Sequence, residues 1–236
     1  MSEGLNGKKI IWDGDSICAG SQIYGNWATR ICEKNNMPYK NYAVGGGTIC
    51  TGFAPGPDGT PRHSVYLTLD TMYEEHPDAD YIVFEGGCND VDRIERIGET
   101  NITGGIIDPD DFSGNYDLNT FSGYLETIFY RALKYWQGKK ICYIVAHKMW
   151  SDPESKERRR RYYDIAVEVC KKWGIPCLDL WNDCYLNPEL PWMYNPDKTP
   201  DENRSENTGF YVDAQHLTAK GYDFTADIIE RWLERI

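Results

Sequence analysis

Residues 8–16 read KKIIWDGDS, a short apolar run followed by small and acidic residues. The run from Lys8 to Trp12 predicts a buried β-strand, and Asp13-Gly14-Asp15 predicts a turn directly after it. Similar apolar runs recur along the chain and alternate with segments of helical character. The predicted strands are Lys8–Trp12, Tyr39–Val44, Tyr81–Glu85, Ile141–Ala146 and Pro176–Leu180, and the predicted helices are Trp27–Lys34, Val65–Glu75, Phe121–Trp136, Glu154–Trp173 and Thr218–Arg235.

Five strands separated by helices indicate an α/β protein with a parallel sheet and helices on both of its faces. Crossovers between parallel strands are right-handed, which favours a doubly wound layout. Ligands bind such sheets beyond the carboxyl ends of the strands. We therefore expect the functional residues to follow the predicted strands directly.

Two long stretches interrupt the alternation, Ile94–Asn119 and Asn182–Val212. Loops of this length are uncommon unless they are functional or disordered. Both follow strand ends, so we expect both to border a site. A chain of 236 residues without an evident linker predicts a single domain over residues 1–236.

The net charge of −12 argues against nucleic acid or an anionic membrane as the main partner, since both would be repelled. Four consecutive arginines, Arg158 to Arg161, form one basic cluster. The cluster predicts either an anion-binding patch or, as we favour, the solvated face of a charged helix.

Eight cysteines are present, but no two are spaced as C-x-x-C, which argues against a zinc ribbon or a thioredoxin-like motif. Several lie within apolar runs, and we expect them to be buried, reduced thiols. Residues 1–7 lack the apolar segment of a signal peptide. The expected location is therefore the cytoplasm.

Four short motifs follow predicted strands and carry groups suited to acyl transfer. They are Gly14-Asp15-Ser16, Gly45-Gly46-Gly47, Gly87-Cys88-Asn89-Asp90 and Asp213-Ala214-Gln215-His216. A serine nucleophile needs a histidine base, and that histidine needs an acceptor on its other ring nitrogen. Backbone N–H groups and an Asn amide can stabilise the oxyanion. Taken alone, the motifs that contain Ser16, Asn89 and His216 are each better explained as a turn or a helix cap, and only the combination indicates a site.

With these motifs in this order, the chain resembles the SGNH/GDSL hydrolases over nearly its whole length. The resemblance implies a three-layer α/β/α sandwich of the flavodoxin-like type around a five-stranded parallel sheet. It also implies that Ser16 is the nucleophile, His216 the general base and Asp213 the residue that orients it. The N–H groups of Ser16 and Gly46 and the Asn89 side chain would then form the oxyanion hole, with Gly45 or Gly47 as alternatives to Gly46.

We therefore expect a serine esterase without cofactor or metal that hydrolyses short, mainly acetyl, esters on a carbohydrate or other small molecule. The alternatives are a lysophospholipase or thioesterase and, from another class, a non-catalytic carbohydrate-binding protein on the same fold. The absence of a G-x-S-x-G motif argues against the α/β-hydrolase fold. The oligomeric state does not follow from the sequence.

The remaining candidates have ambiguous patterns. His147 follows the fourth predicted strand, and a structural role is favoured over a catalytic one because no carboxylate accompanies it. His63 and His76 lie beside proline-containing turns and are expected at the surface. Three aromatic residues, Trp192, Tyr194 and Tyr211, either line a sugar-binding wall or pack their loop onto the domain.

Overall fold

A five-stranded parallel sheet forms the centre of the computed structural model, which describes residues 4–199 and 209–236. Its strands are β1 (Ile10–Asp13), β2 (Tyr39–Asn41), β3 (Tyr81–Glu85), β4 (Lys140–Val145) and β5 (Cys177–Asp179). They lie in the order β2-β1-β3-β4-β5, and each neighbouring pair is parallel. This is the flavodoxin-like order, in which the chain reverses direction across the sheet at β1 and β3.

The helices cover both faces of the sheet. They are α1 (Ser16–Ala19), α2 (Trp27–Lys34), α3 (Val65–Glu75), α4 (Cys88–Val91), α5 (Phe121–Tyr135), α6 (Pro153–Trp173), α7 (Leu180–Asp183) and α8 (Ala219–Leu233). Helices α2 and α8 pack together on one face, while α5 packs between α3 and α6 on the other. The predicted three-layer α/β/α sandwich is confirmed.

The three central strands, β1, β3 and β4, are buried on both faces, as helices on each side require, whereas the edge strands β2 and β5 are partly exposed. Every residue of β1 and β3 is buried, and so are the last five residues of β4. Large aromatic side chains fill the layers between sheet and helices, among them Trp12, Phe84 and Tyr143. The core therefore fixes the carboxyl ends of the strands, where the candidate residues lie.

The observed elements differ from the predicted ones mainly at their ends. Strand β2 ends at Asn41, whose side chain accepts from the Ala43 N–H and donates to the Cys18 carbonyl. The first predicted loop begins within a π-helical segment, Asp92–Ile97, and is otherwise irregular up to α5. The second predicted loop begins within α7, and its residues 200–208 lie outside the described part of the chain.

All eight cysteines are unpaired, and seven of them are buried. Burial raises the pKa of the Cys142 and Cys170 thiols, so both stay protonated and act as small apolar side chains. None of the helices described is long and apolar enough to cross a membrane.

Two buried hydrogen bonds join the last helix to the first two. The Trp27 indole N–H donates to the Thr225 hydroxyl at 2.8 Å, and the Tyr222 hydroxyl donates to the Ile17 carbonyl at 2.9 Å. The Trp27 and Tyr222 rings also meet edge to face. These contacts bring the start of α8, which follows His216, next to α1, which begins at Ser16.

Replacing Thr225 by Val should lower the free energy of unfolding by about 1–3 kcal/mol, because it leaves the buried Trp27 N–H without an acceptor. Urea unfolding followed by fluorescence measures this change. The matched control is Thr225→Ser, which retains the hydroxyl and should lose less. Equal stability of Thr225→Val and the unaltered protein would contradict the importance of this bond.

Candidate active site

Ser16 lies at the carboxyl edge of the sheet, three residues beyond the end of β1, as the first residue of α1. Asp15 precedes the helix and caps it, because its carboxylate accepts a hydrogen bond from the Ile17 N–H at 2.8 Å. The serine is partly exposed, whereas Asp15 and Ile17 on either side are buried. The turn therefore presents Ser16 to solvent on a tightly held backbone.

Asp213 and His216 lie in the short segment before α8. One Asp213 carboxylate oxygen accepts from the N–H groups of Gln215 and His216, both at 2.8 Å, and thereby fixes a tight turn. The other oxygen is 2.8 Å from Nδ1 of His216. Nε2 of His216 is 2.9 Å from Oγ of Ser16, although the two residues are 200 positions apart. The three predicted residues therefore form one continuous hydrogen-bonded chain.

The same contacts determine the protonation states of Asp213 and His216. Burial alone would raise the pKa of Asp213, but its hydrogen bonds from His216 and from the backbone outweigh burial and lower it to about 2. The pKa of His216 is raised, mainly by the hydrogen bond to Asp213 and in spite of its burial. Asp213 is thus ionised near neutral pH and makes the imidazole more basic. Because a carboxylate only accepts, Nδ1 carries the proton and Nε2 is free to accept one from Ser16.

The segment after β4 holds this turn in place. Nε2 of His147 donates to the Gln215 carbonyl at 2.9 Å, and the Trp150 N–H donates to the Ala214 carbonyl at 2.8 Å. His147 is fully buried, and burial lowers its pKa to about 4, so its ring remains neutral. Among the described residues, His147 makes its hydrogen bond to the turn and none to Ser16 or to a carboxylate, which fits the structural role favoured from the sequence.

Gly45 to Gly47 form a tight turn after β2, and the Val44 N–H before it donates to the Gly14 carbonyl of the nucleophile turn at 3.2 Å. The Gly47 N–H donates to the Val44 carbonyl at 2.9 Å, so it is already engaged within the turn. Gly46 has a φ of +74°, a left-handed conformation that favours glycine. Of the alternatives considered from the sequence, Gly47 is therefore the least suited to bind an oxyanion through its N–H.

Asn89, in α4, contacts this glycine turn. Its side-chain amide donates to the Gly47 carbonyl at 2.9 Å, which leaves the second amide hydrogen for another acceptor. The buried carboxylate of the next residue, Asp90, accepts from the N–H groups of Ile49 and Cys50 at 3.0 and 2.8 Å. Together these contacts fix the glycine turn relative to the end of β3.

His63 is not a surface residue, contrary to the expectation from the sequence. Its Nε2 is 2.7 Å from the carboxylate of Asp13, which is fully buried and which also accepts from the Gly14 N–H at 2.8 Å. The neighbouring Arg62 donates to the Gly46 carbonyl at 3.2 Å. Residues 62 and 63 therefore brace the glycine turn and the start of the nucleophile turn. His76 is likewise half-buried rather than exposed.

A cavity of about 260 Å³ opens beside Ser16, on the His216 side. Besides Ser16, Asp213 and His216, its walls are formed by Gly20, Ser21, Tyr24, Val212, Leu217 and Tyr222. The lining combines apolar side chains and two tyrosine rings with the hydroxyl groups of two serines. Such a mixture suits a small ligand that has both apolar and hydroxyl-bearing faces.

The aromatic residues of the second loop divide into two groups. Tyr211 and Tyr194 are buried and contact one another, and the Tyr211 hydroxyl donates to the Lys148 carbonyl at 2.8 Å. Both thus pack the loop onto the domain. Trp192, in the same loop, is 65% exposed, and Trp150, in the segment after β4, is 38% exposed. These two tryptophans, rather than the tyrosines, remain available to contact a ligand.

The arginine cluster does not form an anion-binding patch. Each of its four guanidinium groups pairs with a carboxylate, in the pairs Arg158–Glu154, Arg159–Asp92, Arg160–Asp164 and Arg161–Glu95. The interpretation as a charged helix face is correct for three of them. Arg159 differs, because its side chain is only 4% exposed and lies against the segment after α4.

Solved structures with the same fold cover almost the whole chain. A protein from Lactobacillus plantarum has a TM-score of 0.72 at 19% identity, covering 98% of both chains. An acetyl xylan esterase has a TM-score of 0.60 at 20% identity, covering 97% of this chain and 100% of its own. The aryl esterase of M. smegmatis has a TM-score of 0.61 at 12% identity, covering 97% and 99%. At these identities the likeness establishes the fold.

Among curated proteins, no sequence matches the chain. The model of the GDSL-like lipase/acylhydrolase family matches residues 14–224, which include all four motifs and most of both helical layers. The chain therefore belongs to the GDSL-like lipase/acylhydrolase family.

Proposed function

We propose that the protein is a serine esterase that removes short acyl groups, acetyl above all, from a carbohydrate through an acyl-enzyme. Membership of the family supports hydrolysis of a carboxylic ester. The observation that carries the proposal is the hydrogen-bonded chain from Asp213 through His216 to Oγ of Ser16. This is the arrangement that activates a hydroxyl group as a nucleophile.

In the first half of the reaction, Oγ of Ser16 bonds to the ester carbonyl carbon while Nε2 of His216 takes the hydroxyl proton. The carbon–oxygen bond to the alcohol then breaks, and His216 gives this proton to the departing alcohol oxygen. In the second half, His216 takes a proton from water, whose oxygen attacks the acyl carbon. The bond to Ser16 breaks, and the proton returns to Oγ as the acid is released. Asp213 stays ionised throughout and stabilises the protonated imidazole.

The negative charge that develops on the carbonyl oxygen must be stabilised by hydrogen-bond donors. We assign this role to the N–H groups of Ser16 and Gly46 and to the Asn89 amide. The start of α1 places the Ser16 N–H at a helix end, where backbone donors lack partners. The Gly47 contact of Asn89 holds that amide in position before substrate binds.

The cavity beside Ser16 supports a small substrate group. Its volume of about 260 Å³ is slightly below the range of about 300–1,000 Å³ that is usual for pockets of drug-sized ligands. Because His216 protonates the alcohol oxygen, the alcohol half of the ester lies on this side. The Tyr24 ring and the Ser21 hydroxyl suit a sugar there. The acetyl xylan esterase that shares the fold makes acetylated saccharides the first substrates to test.

Ser16→Ala should lower the hydrolysis of aryl acetates by about 10³-fold or more, because it removes the nucleophile. The unaltered protein should be labelled by a fluorophosphonate, and the variant should not. Unchanged thermal unfolding of the variant is the control for its fold. Absence of labelling of the unaltered protein at neutral to mildly alkaline pH would exclude the esterase and favour a non-catalytic binding protein.

The substrate class is tested with acetylated saccharides and with aryl and thiol esters of increasing acyl length. We expect kcat/KM to be highest for acetyl esters and to fall with each added methylene group. Deacetylation of the saccharides should exceed that of simple alkyl acetates. A maximum for long acyl chains or for thioesters would contradict the proposal and favour a lysophospholipase or a thioesterase.

The pH dependence of kcat/KM should have an acidic limb set by His216, which must be neutral to accept the Ser16 proton. Because Asp213 raises the His216 pKa, activity should fall as the pH drops through that raised pKa. Asp213→Asn should move the limb to lower pH and reduce the maximal rate by orders of magnitude. His76→Gln, at the opposite edge of the sheet, is the matched control. If the acidic limb shifts in His76→Gln and not in Asp213→Asn, the assignment of the limb to His216 is wrong.

A further inference from the structure

Glu85, the last residue of β3, lies directly beneath the nucleophile turn and is fully buried. One of its carboxyl oxygens, Oε2, accepts a hydrogen bond from the Asp15 N–H at 3.2 Å. The same oxygen would lie only 2.8 Å from a Cβ placed on Gly14. The carboxyl group of Glu85 is thus packed against the backbone of residues 14 and 15, and it leaves no room for a side chain at position 14.

Asp15 links Glu85 to Ser16, the next residue in the chain. Its side chain is fully buried and makes two further hydrogen bonds, from the Ile17 N–H at 2.8 Å and from the Cys88 thiol at 3.0 Å. Ser16 lies between the two backbone groups, Asp15 N–H and Ile17 N–H, that these carboxyl groups hold. A shift of Asp15 would therefore move both the Ser16 N–H and the Ser16 hydroxyl.

Glu85 and Asp15 are both fully buried, and ionising both carboxyl groups would cost much free energy. Burial and the nearby Asp15 charge raise the pKa of Glu85 well above its ordinary value. Burial also raises the pKa of Asp15, but the hydrogen bonds from Ile17 and Cys88 oppose this effect. Glu85 is therefore the group that keeps its proton, and its carboxyl group is close enough to that of Asp15 for the two to interact directly. Its second oxygen, Oε1, is buried and accepts no hydrogen bond from the described residues.

We propose that Glu85 is a positioning residue for the nucleophile: as a neutral acid it accepts the Asp15 N–H and donates its own proton to the Asp15 carboxylate, which fixes Ser16. This inference rests on the proposed esterase function. Glu85 touches no substrate, and it acts through Asp15 alone. Its effect is expected on the chemical step rather than on substrate binding, because misplacement of a reacting group by about 1 Å can cost about 10²-fold in rate.

The test compares two substitutions of Glu85 with each other. Glu85→Gln keeps an acceptor for the Asp15 N–H and a donor for the Asp15 carboxylate, and kcat should stay within about threefold. Glu85→Leu keeps a side chain of similar size but makes neither bond. Its kcat on an aryl acetate should fall about 10–10²-fold, with little change in KM. Fluorophosphonate labelling of Ser16 should slow by the same factor.

Glu126→Gln is the control for a buried glutamate outside the site. Glu126 pairs with the buried Lys172, so its replacement should lower stability without lowering kcat. Infrared spectroscopy provides an independent measurement. The C=O band of a protonated carboxylic acid should be present in the unaltered protein well above the ordinary pKa of glutamate, and it should be missing in Glu85→Gln.

The outcomes separate this inference from the proposed function. If the unaltered protein hydrolyses esters but Glu85→Leu retains its kcat and labelling rate, the positioning role is wrong and the esterase stands. If Glu85→Leu does not fold, the test rests on Glu85→Gln and on the infrared band. A loss of kcat in Glu85→Gln overturns the inference, and so does the absence of the band in the unaltered protein. If the unaltered protein neither hydrolyses esters nor is labelled, the proposed function itself fails.

Discussion

The packing of the last helix against the first two is the constraint on which the site depends. The hydrogen bond between His216 and Ser16 spans 200 residues, and neither partner could be held there by local structure alone. Tyr222 anchors α8 to the carbonyl of Ile17, and Thr225 anchors it to Trp27. The alignment of Oγ of Ser16 with Nε2 of His216 therefore depends on the packing of α8 against α1 and α2. We expect it to form only when the whole chain has folded.

The nucleophile turn is surrounded by buried carboxyl groups that are each bonded to backbone N–H groups. Asp13 accepts from Gly14, Asp15 from Ile17, and Asp90 from Ile49 and Cys50. Burying charge is costly, and hydrophobic residues of similar size would commonly give a more stable protein. Here the carboxyl groups fix the backbone of two turns from inside the domain. Rigid backbone donors need little reorganisation when negative charge develops on a substrate.

Much of this arrangement could be predicted from the sequence, because the relevant signals are local. Short apolar runs separated by helical segments predicted the five strands, and the D-x-x-H spacing predicted that Asp213 and His216 lie on the same side of a turn. The contacts that the sequence did not reveal join residues far apart, such as His63 with Asp13 and Glu85 with Asp15. Glu85 ends an apolar strand, and His63 lies beside a proline. The residues next to His63 do not indicate that it binds the Asp13 carboxylate. Likewise, the residues next to Glu85 do not indicate that it accepts from the Asp15 N–H.

The boundaries of the irregular regions were also beyond local patterns. The segment from Asp92 to Ile97 continues α4 as a π-helix, in which Asp92 pairs with the buried Arg159 of α6. Its sequence is charged and lacks a clear helical stripe, so tertiary contacts rather than propensity account for its shape. The same reasoning applies to the arginine cluster. Arg159 is buried and its three neighbours are not, because the segment that contains Asp92 packs against it.

The turn that carries Asp213 and His216 is held by main-chain atoms at its two middle positions. The carbonyl groups of Ala214 and Gln215 accept hydrogen bonds from Trp150 and His147, and every residue type supplies such carbonyls. The identity of the two intervening side chains is therefore left open by the anchoring. The two central residues of such a motif are therefore free to vary without loss of these bonds. His147, which follows β4 and lies 68 positions from Gln215, is required by the geometry although it is outside the motif.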